Sequence, residues 1–236
     1  MKKKETLLRT AMTVLCWLCA VFTLITMVLN HRYNRIPLAA ITVLLVLVPA
    51  ALERLCGCRL PMPLYLFCIL YALGPILGQC WNLYYTVLWW DKLLHVCGGV
   101  AFAIAGVCIY QRLEPESKRP CMAAVFGFLF SVAVAVFWEF TEFAADCFLG
   151  MDMQDDMLIT GICSYLLGDA VGKTGSIENI KSVLVNGQRL PGYIDIGLID
   201  TMLDLLLESA GAAVTCLLMR GKNTIRWEIE KRRVNE

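Results

Sequence analysis

Residues 120–148 read PCMAAVFGFLFSVAVAVFWEFTEFAADCF, and this run decides the class of fold. A hydrocarbon core about 30 Å thick takes about 20 apolar residues of helix to cross, and no charged side chain interrupts this run before Glu139. The acids at its end, Glu139, Glu142 and Asp146, recur at i, i+3 and i+7, which is one face of a helix. A membrane span with a stripe of carboxylates at one end is the unit from which the rest of the chain can be read.

Outward from it, five more runs have the same apolar character, and spans are expected at roughly 8–29, 36–55, 63–80, 91–111, 120–148 and 197–219. The 236 residues are 58% hydrophobic and 17% charged, with a mean hydropathy of +0.64, whereas soluble domains carry about a quarter charged residues. A soluble globular fold is excluded. The expected fold class is all-α: a polytopic transmembrane helical bundle of six spans, forming a single membrane domain over 1–236. A small extracytoplasmic loop insertion at 149–196 separates spans five and six. The first span is expected to stay as an anchor, because its apolar run exceeds a signal-peptide h-region and no A-x-A-type site precedes His31 and Arg32.

Lys and Arg set orientation, because cytoplasmic loops collect them. One side holds Lys2, Lys3, Lys4, Arg9, Arg54, Arg59, Arg112, Lys118, Arg119, Arg220, Lys222, Arg226, Lys231, Arg232 and Arg233. The other holds Arg32, Arg35, Lys92, Lys173, Lys181 and Arg189. Both termini are therefore expected in the cytoplasm of a multi-pass cell-membrane protein, with 30–35, 81–90 and 149–196 outside. Tyr84, Tyr85, Trp89 and Trp90 mark the outer interface, where amphipathic rings favour the headgroup layer. Within 149–196, the stretch from Asp155 to Gly168 is expected as a short interfacial helix or re-entrant turn. Ser182 to Val185 followed by Asn186-Gly187 carries a two-residue hairpin signal. The net charge of +1 argues against a nucleic-acid partner, and neither a Walker loop nor a GxGxxG turn is present.

The twelve cysteines do not form a disulfide scaffold. Cys16, Cys19, Cys68, Cys97, Cys108 and Cys216 fall inside spans, where a free thiol packs as a small hydrophobe. Cys56, Cys58 and Cys121 are expected on the reducing cytoplasmic side. Cys80, Cys147 and Cys163 lie near the outer face, where a bridge between two of them is chemically open.

Thirteen of the twenty carboxylates lie in spans four to six and the loop joining the last two. Asp91 and His95 are four apart at the start of span four. Asp200, Asp204 and Glu208 recur every fourth residue in span six, with Thr201 and Ser209 beside them. With span five running outward and spans four and six inward, all three acidic ends fall on one side of the membrane. At about 1.5 Å per residue, His95, Glu139 and Asp204 lie about one to two turns below the surface. Ionisable groups at such depth are costly and are functional-site candidates by default. So many carboxylates beside Lys92 alone call for a cation or bound protons. The metal-ligand set expected is Asp91, His95, Glu139, Glu142, Asp200 and Asp204, with Asp146 and Thr201 alongside. One imidazole among oxygens suits Mn, Zn, Mg or Fe, and an all-oxygen subset suits Ca. The second reading of the Asp91–His95 pair is a neutral imidazole held by a carboxylate one turn back, the same geometry that supports a metal-bound His.

At these positions the chain resembles the YjdF-like family of bacterial inner-membrane proteins and their relatives in Gram-positive bacteria. The resemblance rests on Trp89-Trp-Asp-Lys-Leu-Leu-His95 with Gly98-Gly99, Trp138-Glu-Phe-Thr-Glu142 with Asp146, Gly150-Met-Asp-Met-Gln154-Asp155, and Gly192 through Asp204 with Gly211-Ala212. It spans roughly residues 60–220 and adds Asp152, Gln154, Asp155 and Asp195 to the candidate residues. It implies an architecture and a choice of residues, and no reaction. The Asp91-Lys-x-x-His95 element is also similar to one in VanZ-like envelope proteins.

Three functions fit this pattern. One is a metal-dependent intramembrane hydrolase or transferase acting on a membrane lipid, a lipid-linked headgroup or an envelope precursor at the outer leaflet. In it Glu139 and His95 are the expected catalytic residues and one carboxylate serves as general base. The second is a proton or cation carrier, which would need acids on the cytoplasmic half that the sequence does not supply. The third is a non-catalytic envelope protein holding a structural cation.

Overall fold

The computed structural model describes residues 2–56, 60, 62–114, 117 and 119–220. Arg59, Cys58, Lys118 and the basic residues beyond Arg220 lie outside the described residues, as do the side chains of Lys2, Lys3, Cys56 and Arg220. Six helical stretches are long and apolar enough to cross a membrane: Lys4–Leu29, Tyr33–Ala51, Met62–Gln79, Trp90–Leu113, Pro120–Leu149 and Leu198–Met219. The protein is thus a polytopic helical membrane protein. Its contacts divide into two compact units, one running to Ala133 and resuming at Leu207, the other Val134–Leu206.

In the first unit, α1 (Lys2–Leu29) packs on α2 (Ile36–Leu45) and α4 (Met62–Tyr71). The second and third spans are each broken once, for the same reason. Pro49 follows the break between α2 and α3 (Val48–Cys56), and Pro75 follows that between α4 and α5 (Gly74–Gln79). Proline offers no N–H to the helix ladder and its ring crowds the preceding turn. The backbone there tightens, with Leu47 N donating to Leu44 O and Leu73 N to Leu70 O. A short α6 (Leu83–Thr86), entered through Asn82 at φ 63°, leads into α7 (Trp90–Leu113). Tyr84 lies against Gly78, and Trp90 Nε1 donates to Gly74 O at 3.2 Å, so two of the expected interface aromatics are packed while Tyr85 and Trp89 are exposed.

Many buried positions in this unit are small or medium-sized, including Ala20, Ala39, Ile69 and Ile76 around α1, α2, α4 and α5, and Ala103, Ala212 and Cys216 farther along. Exposed positions are large and apolar, among them Leu15, Phe22, Leu44 and Leu129. That inversion is what helices solvated by lipid require, since small residues let backbones approach while lipid accepts the large ones. Gly106 and Gly127 meet backbone to backbone, a Cβ on Gly106 coming within 2.8 Å of Gly127 Cα.

Arg9, counted above with the N-terminal loop charges, is buried. Its guanidinium pairs with Glu53, donates to Glu5 Oε1 at 2.7 Å and Leu60 O at 2.6 Å, and lies 4.9 Å over the Tyr65 ring. Leu60 N closes the network by donating to Glu53 Oε1 at 2.7 Å. The i, i+4 spacing of Glu5 and Arg9 was the available sequence signal.

The second unit holds the end of α8 (Pro120–Leu149), the start of α9 (Leu198–Arg220) and the segment joining them. Gly150, at φ 59°, ends α8 in the left-handed conformation that helix termini favour for glycine. Three two-stranded antiparallel ladders follow: β1 (Leu158–Ile159) with β6 (Tyr193–Ile194), β2 (Ile162–Ser164) with β3 (Gly175–Ile177), and β4 (Val183–Val185) with β5 (Gln188–Leu190). Asn186 and Gly187, at φ 49° and 86°, make the last of these turns. The helix or re-entrant turn expected between Asp155 and Gly168 is not formed; that stretch is β1, β2 and a single 3-10 turn at Tyr165–Leu167. Isoleucines at 159 and 162, β-branched and interrupted by Gly161, favour extended pairing over helix.

Candidate functional site

The carboxylates of the second unit invert the usual helix pattern. On α8, Glu139 and Glu142 are 4% and 2% exposed, while Phe137, Phe140 and Phe143 on the other face are 58–69% exposed. On α9, Asp200 and Asp204 are buried, while Met202, Leu203 and Leu206 are exposed. The apolar face meets lipid and the acids point inward, as intramembrane ionisable groups do. Trp138 Nε1 donates to Glu142 Oε1 at 2.8 Å, which fixes that carboxylate from its own helix.

Asp146 and Asp195 work at the ends of the joining segment. Asp146 accepts from Met153 N at 2.6 Å and Gln154 N at 3.0 Å, tying the chain back onto the end of α8. Asp195 accepts from Met157 N and Ile199 N, both at 2.8 Å, and so satisfies one of the orphan N–H groups of the first turn of α9. Burial pushes the Asp195 carboxyl up, but these N–H donors together with that of Gly197 prevail and hold it below the usual carboxylate range. Gln154 Nε2 donates to Thr201 Oγ1 at 2.7 Å, and a Cβ on Gly197 would meet Gln154 O at 2.3 Å. Asp152 and Asp155 are exposed. Asp152 and Asp156 are both raised, first by desolvation and then by the neighbouring carboxylates.

In the first unit, Asp91 opens α7 beside Lys92, whose Nζ donates to Asp91 Oδ2 at 2.9 Å. His95, 4% exposed, turns Nε2 toward Asp91 Oδ1 at 3.7 Å. Its other nitrogen, Nδ1, lies 3.5 Å from Oε2 of Glu208, itself 3% exposed. Sequence reasoning left Glu208 out of the ligand set, although its i+4 relation to Asp204 put it on the same stripe. Gly98 makes room there: a Cβ would stand 2.6 Å from the Tyr71 hydroxyl and 3.5 Å from Glu208 Oε2. The ten described cysteines are free thiols, Cys80, Cys147 and Cys163 among them.

Six apolar helical stretches of membrane length, with Glu139, Glu142, Asp200, Asp204 and Glu208 buried on the last two of them, define a multi-pass membrane protein. The chain belongs to the family described as "Predicted membrane protein (DUF2238)", which matches residues 11–223. An uncharacterized protein of Thermotoga maritima is 35% identical over 77 residues, covering 31% of this chain and 38% of that relative. The chain therefore matches well under half the length of that relative. No solved structure matches.

Proposed function

We propose that this protein is a metal-dependent intramembrane enzyme, a hydrolase or transferase acting on a lipid or envelope precursor at the outer leaflet of a cell membrane. The observation that carries it is the burial of Glu139, Glu142, Asp200 and Asp204 on helices whose other faces are apolar. Keeping several carboxylates out of water requires a compensating cation or bound protons. The donor set Asp91, His95, Glu139, Glu142, Asp200 and Asp204 fits a divalent ion that takes oxygen and one imidazole, such as Mn, Zn, Mg or Fe. Such an ion supplies Lewis acidity toward a phosphoryl or carbonyl oxygen. On this reading Glu139 would take the proton of the attacking water or hydroxyl, and His95 would hold the ion together with Asp91. On this reading the termini are cytoplasmic, from the Lys and Arg asymmetry, and the segment 149–196 faces the headgroups outside. The motif likeness to YjdF-like proteins supports the choice of residues.

The test is metal analysis of the purified protein together with its turnover of membrane-lipid extracts, followed by mass spectrometry, for wild type, His95→Ala and Glu139→Gln. Expected is a divalent ion at about one per chain that His95→Ala loses, and turnover that Glu139→Gln abolishes. A wild type that retains no ion after dialysis against Mn, Zn, Mg or Fe would overturn the metal, and unchanged turnover in both variants would overturn the enzyme.

A further inference from the structure

Glu208 sits where a carboxylate would set the orientation of an imidazole. Three observations converge on it. Its Oε2 is 3.5 Å from His95 Nδ1. Its side chain is 3% exposed, and its Oε1 has no hydrogen-bond partner among the described residues. Residue 98 is a glycine, which leaves the carboxylate and the Tyr71 hydroxyl room to approach His95's helix. A carboxylate this deep would be costly without a role, and its neighbour is an imidazole whose far nitrogen already faces an acid, Asp91.

An imidazole has two distinct nitrogens, and whichever one donates to a fixed acceptor leaves the other free to act as a ligand. We propose that Glu208 is the positioning residue of His95: it accepts the Nδ1 proton, holds the ring between α7 and α9, and leaves Nε2 as the nitrogen that binds a divalent cation alongside Asp91. The 3.7 Å between Nε2 and Asp91 Oδ1 suits this, since two ligand atoms each about 2.1 Å from one ion stand about 3 to 4 Å apart. The inference rests on the metal reading above. It adds to that reading which nitrogen binds and what orients it.

The experiment uses the full chain in detergent with Co2+ and Zn2+ as probes. Cobalt affinity is measured from its visible absorption for wild type, Glu208→Gln, Glu208→Leu and His95→Ala. Partners of metal-bound histidines typically change affinity by about 10- to 100-fold when removed, so Glu208→Leu is expected to bind in that range more weakly. Glu208→Gln, which keeps an acceptor oxygen, should recover most of the loss, and His95→Ala should lose the absorption band. Equal cobalt affinity in wild type and Glu208→Leu would overturn the role of Glu208 while leaving the metal reading intact. No cobalt binding by wild type would overturn both. Should Glu208→Leu fail to fold, the wild type alone decides the matter, because the chain has only two histidines. Labelled with 15N-histidine and loaded with Zn2+, it should show His95 protonated at Nδ1 and metal-bound at Nε2, His31→Asn identifying the signal. The reverse tautomer would overturn the proposal.

Discussion

A methyl group on Gly99 would stand 2.1 Å from the carbonyl oxygen of Glu208 and 3.0 Å from Ala212 N, so α7 and α9 touch there through backbone alone. Gly211 repeats the contact in reverse, its Cβ position lying 2.7 Å from Val96 O. Neither neighbour is a flexible side chain that can swing away. Gly99→Ala is therefore expected to lower stability by about 1–3 kcal/mol through overpacking, and Gly99→Leu by more. A thermal scan in detergent checks this, and a Gly99→Ala midpoint equal to wild type would rule out so close an approach.

Arg9 gives a second stability prediction of different physical origin. Truncating one partner of a buried ion pair costs about 3–5 kcal/mol because the other charge stays behind, whereas replacing both by apolar groups of similar volume is often neutral. Arg9→Leu should therefore be destabilised by about 3 kcal/mol, Glu53 being less deeply covered than Arg9. The double variant Arg9→Leu, Glu53→Leu should recover most of that. If the double variant is as unstable as the single one, the packing over Tyr65 rather than the charge would be the stabilising element.

The spans were legible because each is an apolar run of membrane length, and so were the buried faces of Glu139, Glu142, Asp200 and Asp204, because helical spacing alone puts them on stripes. Two things were not. The Asp155–Gly168 stretch is apolar enough for a helix, and its extended form depends on partners distant in sequence, Ile194 for Leu158 and Ile177 for Ile162. The burial of Arg9 depends on Glu53 and the Leu60 carbonyl, also far along the chain, so a local count of charges reads it as a loop residue. Glu208 lay between these cases: its stripe was visible, but the imidazole it faces belongs to another helix.

The segment joining α8 and α9 should respond to pH in two opposite directions. Asp195 is held below the usual carboxylate value, so its contribution to stability is full above the ordinary Asp value of 3.8 and is lost as pH falls through its lowered value. Asp152 and Asp156 are raised, so what they contribute is full below 3.8 and is lost as pH rises through their raised values. The segment should thus be best protected near the ordinary Asp value of 3.8, where neither contribution has been lost, and less so at neutrality and in strong acid. Hydrogen exchange at the Met157 and Ile199 amides reads it directly. Asp195→Asn should exchange about tenfold faster at neutral pH, for the loss of a charged acceptor, and should lack the acid limb. Protection that declines monotonically with rising pH in wild type would remove Asp195 from the account.

Orientation can be tested with the protein's own thiols. Cys121 and Cys163 are both exposed and free, and the proposed orientation, read from the distribution of Lys and Arg, would put them on opposite sides of the membrane. In variants keeping Cys121 or Cys163 as the sole cysteine, a membrane-impermeant maleimide applied to intact cells should label Cys163 and leave Cys121 unlabelled until the cells are lysed. The reverse pattern would invert the topology and move the carboxylates to the cytoplasmic side.

The last prediction separates a metal-binding carboxylate from a charge that merely tolerates burial. Glu139 is 4% exposed and shares its unit with the buried acids Glu142, Asp200 and Asp204. If these acids share one ion, their like charges would repel one another in the metal-free protein, so neutralising one as Glu139→Gln should raise the unfolding midpoint in chelator. With metal the sign reverses, because a cation that binds only the folded chain stabilises it by about 2.7 kcal/mol at a hundredfold excess over Kd and by about 1.4 kcal/mol if the affinity is tenfold weaker. Glu139→Gln should therefore melt above wild type in chelator and below it in saturating Mn, Zn, Mg or Ca, with Asp91→Asn showing the same loss of metal response. A surface acid would change stability by no more than about half a kcal/mol under either condition. Thermal scans in detergent for the three proteins, with chelator and with each ion, decide between these. If no ion raises the wild-type midpoint, or if both variants respond as wild type does, the carboxylates are neutralised by protons instead, and a proton relay through the same residues becomes the reading to test.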